Sequence, residues 1–320
     1  MLVAVTGSSG LIGTALVRRL EADGHQVLRL VRSRPPEGSG ESRGGAPVGQ
    51  EGSDQSWWDP MGGRIDADAL AGADAVVHLA GRGIADSFRW TRKAKDEILQ
   101  SRVRGTRLLA ETMAGAAGSG GPRVLVCASG VHWYGDRGDE VLTESKPAGS
   151  SFLAEVARQW EAAADPARAA GLRVVHIRNG IVQAARAKEL ARELPLFRLG
   201  LGGRFGSGRQ WRSWVALDDT VGLYRHALLT GDLEGPVNGT APNPVTNAEY
   251  AATLARVLRR PCLLTYPAFG PRLLFGELAE ELLFASLRVQ PAVAQASGYV
   301  FRFPELEPAL RHVLHRPPRP

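Results

Sequence analysis

Thr6-Gly7-Ser8-Ser9-Gly10-Leu11-Ile12-Gly13 is the stretch that decides the fold. It follows a short apolar run, residues 2–5, and opens a segment of helical period over residues 14–20. The three glycines at this spacing have separate tasks: a tight turn, close approach of backbone to a pyrophosphate, and packing of helix on strand. A helix starting there offers unpaired N–H groups and a positive dipole end to phosphates. A dinucleotide site is therefore expected on Thr6, Gly7, Ser9, Gly10, Leu11, Ile12 and Gly13.

Working outward, further short apolar runs rich in β-branched residues fall at 27–31, 75–79, 124–128 and 174–177, with helical segments between most of them. That alternation predicts an α/β protein: a Rossmann-type doubly wound parallel sheet with a smaller, mainly helical C-terminal lobe. The expected division is a nucleotide-binding domain over 1–185, with parts of 215–250 returning to it, and substrate-facing segments plus the C-terminal lobe over 186–315. Residues 35–56 are Gly, Ser, Glu and Pro with almost nothing apolar, which predicts a flexible loop. Residues 195–208 are Gly-rich around Phe197, Leu199, Leu201 and Phe205 and suit a substrate-facing loop. Helices are expected over 248–258 and 271–287.

Composition narrows the function classes. The 320-residue chain is 44% hydrophobic and 22% charged, ordinary for a globular protein, and no window approaches the roughly 18 apolar residues of a spanning helix. The strand-like start leaves no room for a signal peptide, so a cytoplasmic protein is expected. Cys127 and Cys262 sit in apolar surroundings without C-x-x-C spacing; they predict buried packing residues, with neither a disulfide framework nor a metal site. The net charge of +6 is spread along the chain without a basic block interleaved with aromatics, which argues against nucleic acid. The partner expected is a small-molecule substrate, with no membrane and with a homodimer left open.

The end of the second strand selects the cofactor. An acid there would bind a ribose 2′-hydroxyl, whereas Arg accommodates a 2′-phosphate. Arg32, Ser33 and Arg34 stand there with no acid, so NADP(H) is expected, with Arg32 at the 2′-phosphate.

These motifs, with DAVVHLAG from Asp74 and ASGVHWYG from Ala128, resemble the extended short-chain dehydrogenase/reductase superfamily. RWTRKAKDEILQSRVRGT from Arg89, GDRGDEVLTE from Gly135, LGLGGRFGSGRQWRSW from Leu199 and APNPVTNAEY from Ala241 narrow the resemblance to its atypical branch of nucleoside-diphosphate-sugar epimerase-like "epimerase family" proteins. The resemblance covers nearly the whole chain. It implies an NADP-binding protein, with Leu79, Ala80 and Gly81 passing near the adenosine and ribose.

In that superfamily a Ser at the end of the fifth strand works with a Tyr-x-x-x-Lys pair on the next helix, the Tyr exchanging a proton with the substrate oxygen. Ser129 fills the first position. The helix reads SFLAEVARQWEAA, so Phe152 and Val156 stand at the Tyr and Lys sites, and neither transfers a proton. Nearby, His132 and Trp133 replace a small residue and a Tyr, and Tyr134 is retained. Ser129 is expected to donate a hydrogen bond to substrate, with Tyr134 or His132 as proton-transfer group. Arg178 is expected at the nicotinamide end of the cofactor. Arg209, Gln210, Trp211 and Trp214 offer guanidinium and aromatic surface to a polar substrate, while Asp218 and Asp219 are expected to cap a helix.

The leading expectation is an NADP(H)-dependent oxidoreductase or epimerase-like enzyme for an unidentified small polar substrate. The alternative is an NADP(H)-binding sensor without turnover, and a nucleic-acid binder is the third reading.

Overall fold

The computed structural model describes residues 1–32 and 54–317. Ser33, Arg34 and most of the loop expected over 35–56 lie outside the described residues. The end of that loop does not hold as a loop, because Gln55 and Ser56 begin a strand.

Seven parallel strands form the centre: β1 (Leu2–Thr6), β2 (Gln26–Val31), β3 (Gln55–Asp59), β5 (Ala75–His78), β6 (Val124–Gly130), β7 (Arg173–Asn179) and β8 (Gly235–Gly239), with β4 (Arg64–Ile65) added antiparallel to β3. Their order across the sheet is β8-β7-β6-β5-β1-β2-β3-β4. The chain runs outward from β1 in one direction, then restarts on its other side at β5. That reversal is the topological switch point, where open α/β sheets bind ligands beyond the carboxyl ends of their strands.

Both faces of β1 are buried. Val3 and Val5 pack with Leu16, Val17 and Leu20 of α1 (Leu11–Ala22), while Ala4 faces Leu30, Val76 and Leu109 on the other side. Alternate side chains thus enter different layers. The near-continuous apolar reading of these strands follows. Helices α2 (Ala67–Ala71), α3 (Arg92–Gly115), α4 (Phe152–Ala162) and α5 (Asp165–Ala169) follow in the chain. A separate cluster of Leu190, Leu194, Phe197, Trp214, Tyr250, Leu254, Leu306 and Leu310 forms the core of the C-terminal lobe.

Several local expectations are corrected. Residues 188–198 form helix α6 with Pro195 inside it, because Leu190, Leu194 and Phe197 recur at helical spacing and all three are buried. Phe197 is thus core, and the loop is confined to the glycines after it. The helix expected over 271–287 is broken at Gly276 (φ 59°) and continues as a wider turn over Glu280–Phe284. Asp218 and Asp219 occupy the first turn of α7 (Leu217–Leu229) but do not cap it. The Asp219 carboxylate instead accepts from the backbone N–H of Arg302 and Phe303, and Asp218 pairs with Arg302 and His312. Cys127 is buried, whereas Cys262 is partly exposed.

Candidate functional site

The crevice at the switch point is built from backbone. Gly7 takes φ 66°, and a Cβ there would lie 2.8 Å from both the Ala80 nitrogen and the Leu79 carbonyl carbon. The turns after β1 and β5 therefore touch, and only glycine allows it. A Cβ on Gly13 would fall 2.2 Å from the Gly7 oxygen, which fixes how closely α1 enters behind the turn. Helix α1 begins at Gly10 with no capping side chain and no acid in its first turn. Its open N–H groups and unopposed dipole suit a diphosphate. Ser9 and Gly10 are exposed at the tip, with Leu11 and Ile12 half-buried behind them. Arg32 is exposed at the end of β2, its carbonyl accepting from Trp57 Nε1 at 3.1 Å.

Thr6 has a different place from the one expected. It is fully buried, and its hydroxyl meets His78 Nδ1 at 2.7 Å and accepts from the N–H of Leu79 and Ala80. It holds the β5 turn against β1.

The end of β6 enters a closed polar network. Ser129 Oγ donates to Glu161 Oε1 (2.7 Å), and Arg178 donates to both oxygens of the same carboxylate at 2.8 Å. Arg178 also donates to the Tyr134 hydroxyl (3.1 Å), which in turn donates to Asn238 Oδ1 (2.7 Å). The guanidinium lies 3.8 Å from the centre of the Trp133 ring. Burial works against its charge, yet Glu161 and Tyr134 outweigh burial and hold its pKa above the ordinary arginine value.

Three expected site residues lie in this network. Arg178 is 2% exposed and its guanidinium is hydrogen-bonded to Glu161 and Tyr134. Tyr134 is wholly buried with its hydroxyl both donating and accepting, and burial pushes the phenol's pKa up. Ser129 is 4% exposed and its hydroxyl donates to Glu161. Glu161 and Asn238 were not anticipated from the sequence. An acid at 161 beside Leu153, Val156, Ala157 and Trp160, all on the buried stripe of α4, was the available signal.

His132 is placed differently. It lines a cavity of about 180 Å³ with Gly135, Asp136, Ser151, Glu280 and Glu281. Burial lowers its pKa to about 4, opposed only in part by a hydrogen bond with the Glu281 backbone, so the ring is neutral at neutral pH. Glu281 reaches across from the C-terminal lobe to the start of α4. Its carboxylate accepts from Ser151 Oγ and from the N–H of Phe152 and Leu153 at 2.8–2.9 Å. Phe152 lies against Trp90, with the Lys95 ammonium 4.7 Å from its ring centre, and Val156 is buried.

Asp136 is shared with a second, wider cleft of about 460 Å³, whose lining includes Asp139, Phe205, Arg209, Gln210, Arg272 and Phe284. Arg209 and Gln210 therefore face this cleft. Trp211 stands beside it, its Nε1 donating to Asp139 at 2.8 Å, whereas Trp214 is wholly buried in the C-terminal core. Among the described residues no group of three or more His, Cys, Asp or Glu is arranged to hold a metal, and no helix is long and apolar enough to cross a membrane.

Comparison with known proteins agrees with this architecture. An "epimerase family protein" of Mycobacterium tuberculosis is 39% identical over 315 residues, covering 98% of each chain. The Bacillus subtilis epimerase family protein YfhF is 32% identical, again over 98% of each chain. Among solved structures, human epimerase family protein SDR39U1, crystallised with NADPH, superposes with a TM-score of 0.82 at 32% identity, covering 98% of this chain and 99% of that one. Residues 266–313 match a domain of unknown function, DUF1731. Residues 3–238 match the NAD dependent epimerase/dehydratase family, and the chain belongs to that family.

Proposed function

We propose that the protein binds NADP(H) across the Gly7–Gly13 turn and Arg32, and acts as an oxidoreductase or epimerase-like enzyme on a small polar substrate held in the cleft around Asp136. The observation that carries the cofactor reading is the uncapped, acid-free start of α1 behind a turn that only glycine can make. The exposed Arg32 favours a 2′-phosphate, and the human relative crystallised with NADPH supports the same choice.

When bound, the nicotinamide supplies hydride transfer. The protein's part is to position the substrate and move a proton. With Tyr134 closed off and Phe152 and Val156 inert, the proton falls to His132, whose neutral imidazole can accept it from a substrate hydroxyl. Arg209 and Gln210 orient polar groups in the wider cleft.

The test is cofactor turnover with a panel of alcohols, ketones, aldehydes and sugar nucleotides in both directions. His132→Asn is expected to abolish turnover while NADPH affinity stays at the wild-type value. The sensor reading is favoured by the closed Ser129–Glu161–Arg178–Tyr134 network. Tight NADPH binding without turnover across the panel would establish that reading in place of the enzyme.

A further inference from the structure

Arg102 on α3 is 6% exposed and makes no ion pair among the described residues. Its one hydrogen bond there runs from Nη1 to the Ile98 carbonyl a turn earlier on its own helix, at 2.9 Å. The carboxylate that acts on it through space, Asp86, is itself paired with Lys188. Burial lowers the pKa of Arg102 to about 10, which leaves it a cation at neutral pH. A buried charge without a counter-charge is costly, and such groups persist where something compensates them.

The guanidinium lies beneath the turn that follows β5. A Cβ on Gly81 would meet Arg102 Cζ at 3.6 Å and Nε at 3.8 Å, and Gly81 itself is exposed. Leu79 and Ala80, immediately before it, are the residues that touch Gly7. Arg102 therefore underlies one wall of the crevice whose other wall is the open start of α1. It also lies 5.0 Å from the Trp160 ring, one turn beyond Val156 on α4, the helix that lacks the superfamily's cation. A guanidinium fork matches paired phosphoryl oxygens better than any other side chain.

We propose that Arg102 forms a subsite for the diphosphate bridge of the dinucleotide, supplying from α3 the positive charge opposite the N-terminus of α1. The inference rests on the NADP(H) reading above. It adds an assignment for one buried charge and a reason for its lacking a protein partner.

The experiment compares wild type, Arg102→Met and Arg102→Lys by titration with NADPH, with 2′-phospho-ADP-ribose and with adenosine 2′-monophosphate, alongside thermal melting without ligand. Arg102→Met should weaken the two diphosphate ligands by roughly tenfold to a hundredfold and leave the monophosphate unchanged. It should also melt no lower than wild type without ligand, because it removes an uncompensated charge. A lower melting temperature with unchanged NADPH affinity would overturn the proposal, and so would equal losses on all three ligands. If Arg102→Met does not fold, Arg102→Lys decides: weaker NADPH binding supports the subsite, and wild-type affinity overturns it. Failure of the wild-type protein to bind NADPH would instead remove the cofactor reading, and this inference with it.

Discussion

Glu161 grips Arg178 through two hydrogen bonds of 2.8 Å, at a depth where the acid is 7% and the guanidinium 2% exposed. The acid stands on α4, the helix that in the resembling superfamily carries the proton-transfer pair. In this chain the polar interior beside β6 is closed on itself: Ser129 and Tyr134 complete the hydrogen bonds of the ion pair, and Asn238 accepts from Tyr134. Such a network fixes the end of β6 and the turn carrying His132, while taking its own members out of reach of a ligand.

Removing one partner should be far worse than removing both. Glu161→Ala leaves a buried guanidinium with no counter-charge and should cost about 3–5 kcal/mol. The double variant Glu161→Met, Arg178→Met should recover most of that loss, since apolar replacement of a buried pair is often near neutral. Urea unfolding at constant m reads both. A double variant as unstable as the single one would show that the network has a role beyond its charges.

Gly13→Ala tests the packing behind the phosphate turn. The added methyl would sit 2.2 Å from the Gly7 oxygen, a backbone atom with no freedom to rotate away. Displacing that turn should reduce NADPH affinity by at least about a hundredfold while lowering stability by about 1–3 kcal/mol. Calorimetric titration after a melting check separates the two effects. Wild-type affinity in a folded Gly13→Ala would place the phosphates elsewhere.

Arg32→Asp should reverse the cofactor preference. Among the described residues, exposed Arg32 at the end of β2 offers a positive charge to a 2′-phosphate, and an acid there would repel that phosphate while accepting from a ribose hydroxyl. The ratio of NADPH to NADH Kd should rise by about a hundredfold. An unchanged ratio would move 2′-phosphate recognition away from this residue.

The sheet was legible because period and composition decide it. A strand buried on both faces must read as a β-branched run, and Gly10 and Gly13 are demanded by backbone of Gly7 and Ser8 close by in the chain, while Gly7 takes a positive φ in the same local turn. The network was not legible, because its bonds join residues far apart: Tyr134 with Asn238, and Ser129 with Glu161. Spacing identified Ser129, Tyr134 and Arg178 as polar groups at strand ends. It could not tell that their hydrogen bonds are satisfied by one another. His132 differs because its cavity is completed by the C-terminal lobe, whose path the sequence left undefined. The loop expected over 195–208 gives way to helix at its start for a related reason, since tertiary burial of Leu194 and Phe197 outweighs the missing helical N–H of Pro195.

Acid should destabilise the protein through its buried histidines. Burial lowers the pKa of His78 to about 3 and that of His176 to about 4, from an ordinary value of 6.5. A depressed folded-state pKa means that the unfolded chain binds the proton first. The stability these groups contribute is therefore complete above pH 6.5 and falls as the pH drops towards 4, by about 1.4 kcal/mol per pH unit for each histidine. His176 isolates the effect, because neither of its ring nitrogens has a hydrogen-bond partner among the described residues and it is wholly buried on β7. His176→Leu should leave a folded protein whose unfolding free energy has a shallower slope between pH 6 and 4.5, by about one proton's worth. Urea melts across that range measure the slope directly. An unchanged slope would mean that His176 is already protonated in the folded state, and that an acid neighbour such as Glu161 overcomes its burial.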